Sequence, residues 1–294
     1  MNATEIKKIA IVAMTIDHIA WILLNDMLCS YIMHVIGRIT APIMWFFIAE
    51  GCYYTRDWKK YFIRMMGFAV LSHFAYCYYE GIPLWMQTSV MWPLALSVLL
   101  INICKSDKLP SLFKILPIIL LILGSIPSDW GVLALIMPAV LYKCRHSFKL
   151  LAIAIVFSSI AAAFLTEAPF PYRILQLFGV LSIPILANYN KERGEGNKWF
   201  FYIYYPLHLV FLGIYKRILI SMIWKNLYYR YNDNLKNECY IISVNERRKG
   251  HMAVLLRGWS HMTQLDKRYE ATQPICDGSL FNDAYAAVCV IDLS

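Results

Sequence analysis

Apolar residues fall into nine runs, 6–28, 32–54, 61–79, 84–103, 112–126, 130–142, 148–165, 173–187 and 199–223, separated by short polar connections. A run of about 20 apolar residues is the length at which a helix crosses the hydrocarbon of a bilayer. The pattern therefore predicts an all-α, polytopic transmembrane helix bundle of about nine helices. The runs 112–126 and 130–142 are shorter than a standard span and predict tilted, partly buried or re-entrant helices. Pro42 inside the second run predicts a kink, because it removes one backbone hydrogen bond and clashes with the preceding turn.

From residue 225 the pattern changes to a mixed polar sequence, so the chain divides into a membrane domain, 1–224, and an unassigned polar tail, 225–294. Short strand-like stretches recur in the tail at 240–244, 253–256 and 286–291. Cys239, Cys276 and Cys289 can supply one disulfide there if the tail is extracytoplasmic. The first run begins almost at once and has no small-residue cleavage pattern after it, which predicts a retained first helix.

Composition agrees with the pattern. Of 294 residues 59% are hydrophobic and 16% charged, against about a quarter charged in soluble domains. The net charge of +9 does not point to nucleic acid, because Lys and Arg cluster in short connections. Arg56, Lys59, Lys60 and Arg64 form one group; Lys105, Lys108 and Lys114, then Lys143, Arg145 and Lys149, then Lys191, Arg193 and Lys198 form the others. The alternate connections, near Asp26, Glu80, Asp129 and Glu167, are nearly free of them. The positive-inside rule then places the N-terminus in the cytoplasm of a multi-pass cell-membrane protein. Nine spans leave the C-terminal end outside, where Lys216, Arg217, Lys225 and Arg230 are unexpected. The eight cysteines lack CxxC pairing, and no metal site is indicated.

Candidate chemistry sits inside the runs. Asp17 and His18 interrupt the first, and at about 1.5 Å of rise per residue His18 lies roughly 15 Å beyond Lys8, near the bilayer midplane. Ionisable groups at that depth face a protein interior or a wet cavity and are functional by default; a packing hydrogen bond between helices is the bland alternative. Asp17 is about 100° round the helix from His18, so it pairs with another helix rather than orienting its neighbour. His208, ten residues into the ninth run beside Pro206, reaches the same depth. Arg38 and Arg173 lie near outer helix ends, Glu50 and Arg56 near an inner one. Arginine there either anchors the bundle by snorkelling or holds a phosphate or carboxylate by forked hydrogen bonds. Asp129, ahead of Trp130 and Gly131, reads as a helix cap. A GxSxG elbow, a phosphate-binding glycine loop and an HExxH helix are all missing from the sequence, which favours base catalysis by imidazole without a protein nucleophile.

Three stretches together resemble one family. They are Met14-Thr15-Ile16-Asp17-His18-Ile19, then Ile36-Gly37-Arg38-Ile39-Thr40-Ala41-Pro42 running into the segment 47–56, and Tyr205-Pro206-Leu207-His208-Leu209. Residues 1–220 look like the TraX family, named for the protein that N-acetylates F-type pilin. The family is similar in plan to integral-membrane acyltransferases that use acyl-CoA donors. The resemblance implies an acetyltransferase that takes acetyl from cytoplasmic acetyl-CoA. The acceptor is an amine or hydroxyl on a protein N-terminus, a cell-envelope glycan or a small molecule at the lipid bilayer. It makes His18 the candidate base, with Asp17 and His208 as catalytic supports and Arg38, Glu50 and Arg56 as donor-binding candidates. A different class of function, proton-coupled transport, also suits Asp17, His18, His208 and proline-broken helices.

Overall fold

The computed structural model describes the backbone outside residues 24–27, 108–109, 167–168, 197, 235–239, 247–251, 258–286 and 292–294, and side chains up to residue 222, except those of residues 23 and 198. The chain divides into two compact units, Met1–Lys216 and Arg217–Ser294. The first is all-helical.

Its helices are α1 (Ala3–Leu23), α2 (Leu28–Gly37), α3 (Thr40–Tyr54), α4 (Trp58–Glu80), α5 (Met91–Lys105), α6 (Ser111–Ser125), α7 (Gly131–Cys144), α8 (Phe148–Leu165), the short α9 (Tyr172–Leu175), α10 (Ser182–Ala187) and α11 (Lys198–Asn234). A 3-10 turn, Gln176–Leu181, joins α9 to α10. Each of the nine apolar runs forms one helical rod, with the second and eighth broken into pieces. Among the described residues, three segments are long and apolar enough to cross a membrane: Leu28–Tyr54, Phe148–Leu165 and Trp199–Met222. The apolar helices within Met91–Lys105, Ser111–Ser125, Gly131–Cys144 and Tyr172–Ala187 are shorter.

Local chemistry explains most boundaries. Asn2 and Glu5 form a reciprocal capping box at the start of α1: Glu5 N–H donates to Asn2 Oδ1 at 3.0 Å and Asn2 N–H to Glu5 Oε2 at 3.0 Å. Asp57 caps α4 by accepting from Lys60 N–H at 3.1 Å. Gly81, at φ 79°, ends α4 in the left-handed conformation, with its N–H donating to the Cys77 carbonyl. The second run breaks at Arg38 and Ile39, ahead of Pro42. A proline ring clashes with the carbonyl four residues before it, here that of Arg38, so α3 starts anew with Pro42 in its first turn. Pro93 acts the same way on α5. The helix expected from residue 84 begins at Met91, and 82–90 is a loop.

That loop is stitched to the α6–α7 connection. Thr88 N–H donates to the Pro127 carbonyl at 2.7 Å, and Asp129 N–H donates back to the Thr88 carbonyl at 2.9 Å. At the other end of the bundle the segment after α10 straps down the N-terminus. The Met1 ammonium donates to the Asn188 carbonyl at 2.6 Å, and Ala3 N–H to that of Glu192 at 2.8 Å. The core between α1, α3, α4, α5, α7 and α8 is filled by side chains such as Ile6, Ile43, Trp45, Met65, Leu94 and Ile155, all nearly solvent-free.

In the second unit, β1 (Tyr240–Glu246), β2 (Met252–Arg257) and β3 (Ala287–Ile291) pair antiparallel in the order β1-β2-β3. They overlap the three strand-like stretches of the tail. The disulfide considered for Cys239, Cys276 and Cys289 lies outside the described residues and side chains.

One glycine reports how closely α1 and α2 pack. A Cβ at Gly37 would overlap the Asp17 side chain, whereas one at Gly67 would meet nothing within 4 Å. Gly37→Ala is expected to lower stability by about 1–3 kcal/mol through overpacking. Gly67→Ala should be neutral or stabilising by up to about 1 kcal/mol through helix propensity. Thermal unfolding of both variants in detergent checks the contrast.

Candidate functional site: a histidine pair beside an ion-pair clamp

α1 turns two consecutive residues toward two different neighbours. Asp17 faces α2, where Arg38 Nη2 donates to its two oxygens at 2.7 and 2.8 Å. His34 Nδ1 donates to Asp17 Oδ1 at 2.9 Å. Arg38 also reaches the His34 carbonyl through Nε at 3.4 Å and Gln176 Oε1 through Nη1 at 3.3 Å. The side chains of Asp17, Arg38 and His34 are only 14%, 11% and 1% exposed. Removing a charge from water costs several kcal/mol, which only a close, fully hydrogen-bonded partner offsets. The three residues and Gln176 form that network.

His18 faces the other way. Its Nδ1 lies 2.8 Å from the Met14 carbonyl. A carbonyl only accepts, so Nδ1 carries the proton and Nε2 keeps a free lone pair. His208 is arranged alike, with Nδ1 at 3.1 Å from the Tyr204 carbonyl. Its Nε2 is buried and has no hydrogen-bond partner among the described residues. The two rings meet edge to face, with centroids 5.0 Å apart. Tyr79 closes the third side, its ring 5.4 Å from that of His18 and its hydroxyl donating to the His18 carbonyl at 3.2 Å. One turn earlier, Thr15 Oγ1 and the Tyr204 hydroxyl are 2.8 Å apart. These two pairings fix α1 and α11 as parallel neighbours.

The α6–α7 loop brings one more acid. Asp129, in this loop and outside the spanning helices, interacts electrostatically with Glu80, His18, Arg38 and Asp17. Burial, with the Glu80 charge next, pushes its carboxyl up to about 6. It does not cap α7 as expected: Trp130 occupies the cap position, at φ 62°, and makes no capping side-chain bond. Trp130 and Trp45, edge to face at 5.5 Å, wall a narrow cleft into which Arg38, Gln176 and Ser159 also open.

The remaining expected site residues lie elsewhere. His18 and His208 meet, and Asp17 and Arg38 bind each other. Glu50 lies ten residues past Thr40 along α3, about 15 Å toward the opposite end of the bundle. There it accepts from Arg145 Nε and Nη2 at 3.2 and 3.1 Å. The Arg145 guanidinium stacks on Tyr53, 3.2 Å from the ring centroid. Arg56 is exposed in the α3–α4 turn. His18 lies fifteen residues after the start of α1. His34 was missed, although its i, i+4 spacing from Arg38 was visible in the sequence. Among the described residues, no group of three or more His, Cys, Asp or Glu is placed to hold a metal ion.

Fold and site together define an all-helical bundle, consistent with a membrane protein, with a polar centre where α1 meets α2, α4 and α11. The family described as TraX protein matches residues 2–216, so the chain belongs to the TraX family. A relative, the probable fimbrial assembly protein FimC, serogroup H1, of Dichelobacter nodosus, is 29% identical over 237 residues, covering 74% of this chain and 97% of that protein. No solved structure matches.

The Asp17–Arg38 pair yields a direct test. Asp17→Leu or Arg38→Met alone strands a buried charge and is expected to cost about 3–5 kcal/mol, whereas the double variant should cost less than either. Thermal denaturation of the three variants checks the order.

Proposed function

We propose that this protein is an integral-membrane acyltransferase that moves an acetyl group from cytoplasmic acetyl-CoA to an amine or hydroxyl at the far side of the bundle. The observation that carries the reading is the contact of His18 Nδ1 with the Met14 carbonyl. With Nδ1 committed to Met14, the Nε2 lone pair of the neutral, half-buried ring is the proton acceptor such chemistry requires. The acceptor nitrogen or oxygen attacks the thioester carbon while His18 Nε2 takes its proton. The C–S bond then breaks, the imidazolium returns the proton to the departing thiolate, and acylated acceptor and CoA are released. His208 borders the same space with a second unprotonated Nε2, while Asp17 and Arg38 hold α1 in the rotation that aims His18 inward.

The proposed orientation, with the N-terminus in the cytoplasm and several membrane passes, draws support from α11 running parallel to α1. Both then leave the cytoplasm in the same direction, and Lys216 emerges beside Tyr79 and Glu80, with its ammonium 5.8 Å from the Tyr79 ring centroid. This gives one of the basic residues that were unexpected on the outer side a local acidic and aromatic environment. The fimbrial-assembly name of the Dichelobacter relative favours a surface-fibre subunit as acceptor over a glycan or small molecule.

The test is acetyl-CoA consumption by the purified full chain in nanodiscs. His18→Ala, with an unchanged thermal midpoint, is expected to reduce turnover by 10²–10⁴-fold, the usual worth of a positioned base. A folded His18→Ala variant that works as well as wild type overturns the assignment. Substrate flux across the membrane without acetyl transfer replaces it with transport.

A further inference from the structure

Two of the buried cations in the bundle are paired: Arg38 with Asp17, and Arg145 with Glu50. Two others, at the end of the bundle where α1 begins, are not. Lys7 is half-buried, its ammonium 4.7 Å from the centroid of Phe47 and 5.7 Å from that of Phe201. Arg64 lies between Tyr61 and Tyr202, 5.4 and 5.6 Å from their centroids. Its Nε is buried and has no hydrogen-bond partner among the described residues. Neither makes an ion pair with a carboxylate among those residues.

The two cations belong to one ring of contacts. Phe201 and Tyr202 are consecutive on α11. The Tyr61 hydroxyl packs against Gly51, where a Cβ would come within 2.6 Å of it, and Gly51 is one turn beyond Phe47 on α3. Lys7, Phe47, Gly51, Tyr61, Arg64, Tyr202 and Phe201 therefore close a circuit through α1, α3, α4 and α11. Arg193, carried by the segment that straps the N-terminus, adds its charge next to Lys7.

Aromatic faces attract cations but leave them unneutralised, and a buried guanidinium N–H without an acceptor costs about 1–3 kcal/mol or more. Lys7 and Arg64, cations against aromatic faces with no carboxylate partner among the described residues, together with the exposed Arg193 near Lys7, suit a ligand with several negative oxygens. We propose that Lys7, Arg64 and Arg193 form a phosphate-binding site for a polyanionic phosphate ester. On the acyltransferase reading, from which this inference takes its ligand, the ester is the nucleotide end of acetyl-CoA. The site takes over the donor-binding role expected of Arg38, Glu50 and Arg56. A phospholipid headgroup carries the same chemistry and is the other source.

The full chain in phosphatidylcholine nanodiscs, titrated with acetyl-CoA and with pyrophosphate as competitor, separates these cases. Wild type is expected to bind acetyl-CoA and release it to pyrophosphate. Lys7→Gln and Arg64→Gln should each weaken binding at least tenfold, and Lys7→Arg should restore most of it. Native mass spectrometry after reconstitution with phosphatidylglycerol reads the lipid arm. Retention of that lipid by wild type, lost in Lys7→Gln/Arg64→Gln, with no acetyl-CoA binding, keeps the phosphate site and assigns it to lipid. A folded double variant that binds both ligands within twofold of wild type overturns the proposal, as does a wild type that binds neither. His18→Ala is the control: acetyl-CoA bound at wild-type affinity but not consumed by any form refutes the acyl-transfer chemistry and leaves the site standing.

Discussion

The Asp17–Arg38 ion pair is the constraint on which the rest of the bundle depends. In an apolar interior neither charge is tolerable alone, and the geometry that makes them tolerable together is demanding. It needs Gly37, because any side chain there would occupy the space of Asp17. It needs the chain to break at Arg38, which Pro42 enforces four residues later, and it recruits His34 and Gln176 to use the remaining donors and acceptors. Once Asp17 is held, the rotation of α1 is fixed. Its neighbour, about 100° round the helix, is then obliged to face α4 and α11, and His18 meets Tyr79 and His208.

Much of this was legible in the residue pattern. The nine apolar runs mark the nine rods, since hydrophobic length is a local property. Proline marked the break in the second run, although the break falls at the carbonyl the ring excludes and not at Pro42 itself. The start of α5 was misread because the apolar stretches 84–86 and 90–92 extend the run back across Gln87, Thr88 and Ser89. What stops the helix is Pro93 together with a pairing to the 126–130 loop that no local signal announces. The site was half visible. An acid and an imidazole in an apolar run declare themselves, but their partners are set by tertiary packing. His34 carries no local mark of its tertiary bond to Asp17, Asp129 reads as a cap, and the Arg145 partner of Glu50 lies 95 residues away in the sequence.

The two ends of α1 carry different chemistry. At its start, cations gather against aromatic rings. Eleven residues later, about 16 Å along the helix, the histidines present unprotonated nitrogens. On the proposed function, a donor held by phosphate at the first place would have to reach the second with its acyl group. α1 and α11, fastened together by Thr15 and Tyr204 between these points, form the wall along which it would extend.

The central claim is the protonation of His18, and ¹⁵N NMR of histidine-labelled protein in nanodiscs reads it directly, with the His18 signals assigned by their loss in His18→Ala. At pH 8 the account predicts a neutral imidazole with the proton on Nδ1 and a bare Nε2. A His18 ring protonated on Nε2, with Nδ1 as the acceptor, would contradict it, because Nε2 would then have no lone pair with which to take a proton.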